Sequence, residues 1–193
     1  MKVIVIDYTS TGACYDAAWV CRNSEVPEHA LESALKAGHD SLKEHWSISF
    51  LIEDISRACS HQLVRHRIGI SYAQQSQRHV KVGDGHEWYV TPPNAKPEFH
   101  QIMEATRQSY LALIDAGMPL EDARYVLPNA CYTTLVVTAN ARALDNFFKL
   151  RCCKRAQWEI RELANKMLER CKAKAPVLFK GSYPDCANCK EKC

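Results

Sequence analysis

The sequence predicts a single α+β domain, with a mixed or antiparallel sheet flanked by helices. Three observations carry this. Short β-branched or alternating segments near residue 3 and at 45–52 and 132–138 have strand character, while longer segments repeat apolar residues at three- and four-residue spacing and have helix character. Their mixture favours α+β over a doubly wound sheet. No G-x-G-x-x-G follows the first strand, so any dinucleotide must be held by something other than a Rossmann turn.

Val3 to Ile6 is a β-branched run closed by Asp7 and the turn formers Ser10, Thr11 and Gly12, hence a short strand; a helix follows through Ala17 and Trp19. Pro27 and Glu28 open a helical segment carrying Ala30, Leu31, Ala34 and Leu35, and Gly38 ends it, leaving His39 and Ser41 in a loop. From His45 to Ile52 the residues Trp46, Ile48, Phe50 and Ile52 alternate with polar ones, a half-buried strand with Glu44 at its entrance. Ile55, Ala58, Cys59 and Gln62 share one helix face, which predicts a helix from about Asp54 to His66 with Gln62 on its apolar stripe.

Gly69 interrupts that helix, and Ser71 to Val80 returns to extended or irregular chain before a turn at Gly83, Asp84 and Gly85. Pro92, Pro93 and Pro97 mark a loop; Glu98 to Gly117 is helical, and Met118 and Pro119 open a short helix to about Tyr125. Tyr132 to Thr138 has strand character and merges into helical Ala141 to Leu150. Arg155 to Lys172 is a helix by propensity and by the spacing of Trp158, Ile160, Leu163, Met167 and Leu168.

A chain of 193 residues, 47% hydrophobic, buries enough surface for one core, placed at residues 1–180 with a cysteine-containing tail at 181–193. A net charge of +3 is too small to imply a nucleic-acid or membrane partner. The longest apolar runs, at Val3 and Leu135, fall far short of the roughly 18 residues a spanning helix needs, and the N-terminus has the pattern of a strand, not a signal peptide. Ten cysteines without a secretory signal point to the cytoplasm and free thiols; Cys14, Cys21, Cys59 and Cys131 sit among apolar neighbours as small buried hydrophobes. Cys186, Cys189 and Cys193, with Cys171 upstream, form C-x2-C-x3-C with an incomplete second pair, which favours a solvent-exposed tail over the alternative of a metal or oxidation-sensitive site, and no metal is assigned.

Chemistry concentrates between Gln62 and Arg78, where Gln62, Arg65, His66, Arg67, Ser71, Gln74, Gln75, Ser76, Gln77 and Arg78 supply amides, hydroxyls and guanidinium forks. Guanidinium groups grip phosphate in bidentate fashion, and amides match the edges of a base, so the composition suits an anionic nucleotide. A solvated polar face after a helix is the ordinary alternative. No histidine–carboxylate pair or G-x-S-x-G elbow surrounds Ser76, which makes it a hydrogen-bonding residue and not a nucleophile.

The order Arg65-His66-Arg67, eight residues, Ser76, one residue, Arg78 resembles the signature of the flavin-dependent thymidylate synthases. The resemblance continues through His39, Ser41 and Glu44 (H-x-T/S-x-x-E), Arg124 with Val126-Leu127-Pro128, Asn140-Ala141-Arg142, Asn146, Leu150-Arg151 and Ala156 to Ile160, in the family's order over residues 39–160. It implies a non-Rossmann FAD site and reductive methylation of dUMP to dTMP, with 5,10-methylene-tetrahydrofolate as one-carbon donor and NADPH as reductant.

Carried over residue by residue, the resemblance implies that Gln62 and Arg65 meet dUMP from one subunit, and Gln74, Gln75, Ser76, Gln77 and Arg78 meet it from another, with Arg124 and Arg151 also at the nucleotide. His39, Ser41, Glu44, Arg65, His66, Arg67, Gln74, Asn140, Arg142 and Asn146 correspond to the FAD site. Sites built from two chains imply an oligomer, in this family a homotetramer.

Arg151 corresponds to the catalytic residue that favours ionisation of dUMP at N3. Its position agrees: on a helix over 144–151, Leu144, Phe147, Phe148 and Arg151 share one face, opposite Arg142, Asn146 and Lys149. A poorly solvated guanidinium attracts a developing anion strongly; pairing with a carboxylate such as Glu159 is the ordinary alternative. Cys152 and Cys153 suggest the covalent cysteine of the flavin-independent class, but their context does not resemble it. The sequence departs from the family pattern at Gln77, often glycine, at His79, often tyrosine, and at Arg155, histidine in some members. Two rival readings are a nucleic-acid module using Arg65, Arg67 and Arg78, and a cysteine-based metal or redox protein.

Overall fold

A computed structural model of the chain describes residues 1–22, 30–83 and 87–184. The elements are β1 (Lys2–Tyr8), α1 (Gly12–Arg22), α2 (Ala30–Lys36), a 3-10 helix (Asp40–His45), β2 (Ser47–Ser56), α3 (Arg57–Leu63) and β3 (Ile70–Gln74). There follow α4 (Pro97–Asp115), α5 (Leu120–Ala123) running on as a 3-10 turn (Arg124–Val126), β4 (Tyr132–Asn140), α6 (Ala141–Arg151), α7 (Trp158–Lys174) and a last 3-10 turn (Pro176–Phe179).

The four strands form one sheet in the order β1-β2-β4-β3, and every neighbouring pair is antiparallel. Alternation explains the two central strands. Ile48, Phe50 and Ile52 of β2 and Leu135, Val137 and Ala139 of β4 turn to one face and are buried there with Leu144, Phe147 and Phe148 of α6 and Ile160, Leu163 and Met167 of α7. A second, smaller cluster of Trp88, Met103 and Cys131 seats α4.

Three expectations give way to the structure. The helix predicted from Asp54 begins only at Arg57. Ile55 and Ser56 still pair with Thr133 and Tyr132 across a bulge, where Asp54 takes a φ of 58°. Ser56 then caps α3 by accepting the Cys59 N–H at 2.9 Å. Ser41 lies in a 3-10 helix and not in a loop, because Leu42 and Lys43 turn inward there, Lys43 pairing with Asp40 (2.9 Å) and Asp145 (3.5 Å). Cys21, expected inside, is exposed at the end of α1, while Cys14, Cys59 and Cys131 are buried.

Packing on the core continues as far as Tyr183, whose ring meets Phe148 edge-on at 5.8 Å and whose hydroxyl bonds Asp145. Pro27 and Glu28, Asp84 and Gly85, and Cys186, Cys189 and Cys193 lie outside the described residues. Among the described residues no helix is long and apolar enough to cross a membrane.

Candidate active site

The end of β4 and the start of α6 build the centre of a cleft. Asn140 caps α6 by accepting the Ala143 N–H at 2.8 Å, and its own N–H donates to the carbonyl of Gly69 at 3.0 Å. Gly69 has a φ of 71°, and a Cβ there would stand 2.6 Å from Asn140 Nδ2 and 3.0 Å from Ala143 Cβ, so only glycine lets the two segments approach this closely.

Above this contact lies a cavity of about 560 Å³ lined by Glu44, Ile68, Gly69, Asn140, Arg142, Ala143 and Asn146. A second cavity of about 350 Å³, lined by Arg65, His66, Arg67, Ile68, Ile70, Ala143 and Asn146, shares Ile68, Ala143 and Asn146 with the first, so the two form one cleft. Arg142 and Glu44 form an ion pair across its mouth. Ile68, 94% exposed, stands between the two halves. Three arginines and the N-terminal end of α6 make the cleft electropositive, while Ile68, Ile70 and Ala143 give it apolar wall.

The cleft unites Glu44, Arg65, His66, Arg67, Asn140, Arg142 and Asn146 from three separate stretches of sequence. His39 and Ser41 are placed apart, in a small pocket of about 90 Å³ with Ala18, Cys21, Ala34 and Leu42. Gln74 turns inward at the edge of the sheet, where its amide donates to Ser60 Oγ and Thr133 Oγ1, each at 3.0 Å. It therefore offers a ligand its carbonyl oxygen.

Arg151, half-buried at the end of α6, donates from Nε to His66 Nε2 at 2.9 Å. Burial and the neighbouring Arg151 charge hold the His66 pKa below the ordinary imidazole value. The carboxylate weighed as Arg151's partner is committed elsewhere: Glu159, 2% exposed, accepts the Ser56 N–H at 2.7 Å and its hydroxyl at 2.5 Å.

A second group of the expected site residues lies beyond β3. Gln75 extends the ladder to Thr134, Ser76 accepts the Arg78 N–H at 3.2 Å, and Gln77 donates to Cys131 Sγ. Arg78 Nε meets Glu121 Oε2 at 2.7 Å, and Arg124 Nε meets the Glu121 carbonyl at 2.9 Å, so both arginines gather on α5. Gln62 is half-buried on α3. Sequence reasoning missed Ile68, Gly69, Ala143 and Glu121. A glycine two residues after the Arg-His-Arg run was the one signal available, and its φ of 71° shows why glycine stands there.

Cys152 is buried, and burial pushes its thiol up to about 11. Among the described residues no group of three or more metal-ligating side chains is assembled.

The profile of a family described as thymidylate synthase complementing protein matches residues 4–177. A flavin-dependent thymidylate synthase of Geobacter sulfurreducens is 52% identical over 162 residues, covering 81% of this chain and 69% of that one. Its counterpart in Saccharolobus solfataricus is 49% identical over 176 residues, covering 87% and 67%. Among solved structures, thymidylate synthase X of Helicobacter pylori, crystallised with FAD and dUMP, shares the fold with a TM-score of 0.80 at 24% identity, over 93% of this chain and 97% of that one.

Proposed function

The chain belongs to the thymidylate synthase complementing protein family, and we propose that it is a flavin-dependent thymidylate synthase that methylates dUMP to dTMP. The one-carbon donor in this reading is 5,10-methylene-tetrahydrofolate, with NADPH the reductant through FAD. The observation that carries the reading is the cleft, in which seven side chains expected at the flavin converge although they lie on three separate stretches of sequence.

The residues present fit FAD. A diphosphate suits the N-terminal end of α6 with Arg142, Arg65 and Arg67 around it. A planar ring suits the wall formed by Ile68, Ile70 and Ala143, and the Gly69 contact keeps that wall clear of a Cβ. Asn140 and Asn146 supply amides for polar edges. When bound, FAD supplies the hydride chemistry.

The protein's own part is orientation and electrostatics. Arg78 and Arg124, with Ser76, Gln75 and Gln77 beside them, hold the dUMP phosphate, while Gln62, Arg65 and Gln74 position the nucleoside. Arg151 faces the pyrimidine and stabilises negative charge as N3 loses its proton, which makes C5 more nucleophilic. His39 and Ser41, seated in a separate small pocket of this chain, are assigned to the flavin on the family resemblance alone.

The active unit in this reading is a homotetramer with shared sites. In its support, the uncovered face of the sheet carries an apolar row, Ile4, Leu51, Val136 and Ala73, across all four strands. Tyr125, 84% exposed, stands beside Arg124. The free thiols at Cys14, Cys21, Cys59, Cys131, Cys152 and Cys171 suit the reducing cytoplasm, where we place the protein.

Purified protein should be yellow, oxidise NADPH at a rate that depends on dUMP, and form dTMP from dUMP and methylene-tetrahydrofolate. A colourless protein that neither takes up FAD nor forms dTMP would refute the reading.

A further inference from the structure

We infer that His66 is the positioning residue for Arg151: by accepting from Nε, the imidazole fixes the guanidinium so that its terminal amino groups meet the pyrimidine as one pre-set fork. The inference rests on the reading of Arg151 as the group that activates dUMP.

The contact is a directed one. Arg151 Nε donates to His66 Nε2 at 2.9 Å, which requires a neutral imidazole with its proton on Nδ1. Both the ring and the backbone of His66 are held. The ring stands edge-on to Phe147, centroids 5.0 Å apart at 88°, and Phe147 is fully buried one helical turn before Arg151 on α6. The His66 carbonyl accepts the Tyr72 hydroxyl at 2.7 Å, and the same hydroxyl donates to Leu63 at 2.9 Å, so β3 clamps the exit of α3.

The choice of a histidine has a chemical consequence. A carboxylate partner would orient the arginine and also cancel its charge. A neutral imidazole orients it and leaves the whole positive charge for a developing anion. Glu159, the nearby carboxylate, is kept from that competition by its two bonds to Ser56.

The arrangement is sensitive to acid. The His66 imidazole faces Arg151 and Phe147 from α6, the Tyr72 hydroxyl of β3 meets only its backbone carbonyl, and Arg65 and Arg67 on its own segment line the same cavity. Protonation removes the acceptor and sets a second cation against Arg151. Because burial and the Arg151 charge lower the His66 pKa from 6.5, that loss falls on the acid side of pH 6.5.

The test compares His66→Phe, which keeps the ring and removes the acceptor, with His66→Gln, which keeps an acceptor that does not titrate, and with Arg151→Ala. For each holoenzyme, kcat and KM for dUMP are measured from about pH 5 to 9, normalised to bound flavin. His66→Phe should lower kcat about 10- to 100-fold, the range for a hydrogen bond to a charged group, with less effect on KM. His66→Gln should restore most of kcat and flatten the acid limb, and Arg151→Ala should be inactive.

Wild-type kcat and acid limb in His66→Phe, beside an inactive Arg151→Ala, overturn the inference and leave the Arg151 reading intact. Normal turnover in Arg151→Ala overturns both. Should His66→Phe fail to fold, an unchanged acid limb in His66→Gln overturns the inference by itself.

Discussion

Arg78 and Glu121 form an ion pair at 2.7 Å, and the carbonyl of the same glutamate accepts Arg124 Nε at 2.9 Å, so one residue of α5 aligns both arginines expected at the nucleotide. With side chains 56% and 47% exposed, the pair contributes roughly 0–1 kcal/mol to stability. A charge-assisted contact to bound phosphate is worth more, roughly 1.5–3 kcal/mol. Arg78→Lys keeps the charge and loses the fork. Its Tm should stay within about 3 °C of wild type, while dUMP affinity falls about 10- to 100-fold. Calorimetric titration with dUMP checks this; unchanged affinity would remove Arg78 from the phosphate site.

Gly69→Ala separates cleft shape from general stability. A side chain at φ 71° costs about 1–2 kcal/mol, and here its Cβ would also press on Asn140 Nδ2 at 2.6 Å. The Tm should fall by about 2–8 °C, and bound flavin should fall with it as Asn140 is displaced. Gly38→Ala is the control: φ is 88°, but nothing lies within 4 Å of the added carbon, so stability falls and flavin content does not. Equal flavin loss in both variants would mean that the Gly69 contact does not shape the cofactor site.

Much of the fold was legible because both central strands bury one face completely, so Ile48, Phe50 and Ile52, like Leu135, Val137 and Ala139, announce their period. The start of α3 was not. Ile55 fits a helix face and a strand face equally, and the ladder to Thr133 decides between them. The Ser56–Glu159 bond joins residues 103 apart, and no local pattern signals it. Arg65, His66 and Arg67 stood out by chemistry suited to an anionic nucleotide, whereas Glu44, Asn140, Arg142 and Asn146 were reached only through the family resemblance. Ile68, Gly69 and Ala143 contribute shape alone, and Glu121 acts by orienting other side chains. Arg151 was expected against a carboxylate or exposed to substrate; its histidine acceptor arises only where α6 crosses the exit of α3.

Cys152→Ala tests whether any thiol attacks the pyrimidine. Burial pushes Cys152 up to about 11, so at neutral pH almost none is thiolate, and the side chain is 5% exposed. The variant should retain dTMP formation within about twofold, with a loss of roughly 1 kcal/mol or less from the vacated volume. A drop of a hundredfold or more at full flavin occupancy would restore covalent catalysis to consideration.

Asp145 sets the pH window of the packing behind the cleft. It is 6% exposed, meets Lys149 at 2.8 Å and Lys43 at 3.5 Å, and accepts the Tyr183 hydroxyl. Burial alone would raise its pKa, but the hydrogen bonds from Lys149 and Tyr183 and the charge of Lys43 outweigh it and hold the carboxyl below 3.8. A folded-state pKa lowered in this way contributes stability above the ordinary carboxylate range, and that stability is lost as pH falls through the folded value. Asp145→Asn leaves Lys43 half-compensated by Asp40, so at pH 7 it should cost about 2–3 kcal/mol, or roughly 4–12 °C in Tm. Plotted against pH, the gap between wild type and variant should be level from neutrality down to about pH 5, narrow below about pH 4 as the unfolded chain's carboxyl takes up its proton, and close as pH falls through the lower folded value. Since Lys43 and the 3-10 helix that carries Glu44 are anchored through this carboxyl, flavin retention should follow the same curve. A gap that widens on acidification would mean that Asp145 is already protonated in the folded protein.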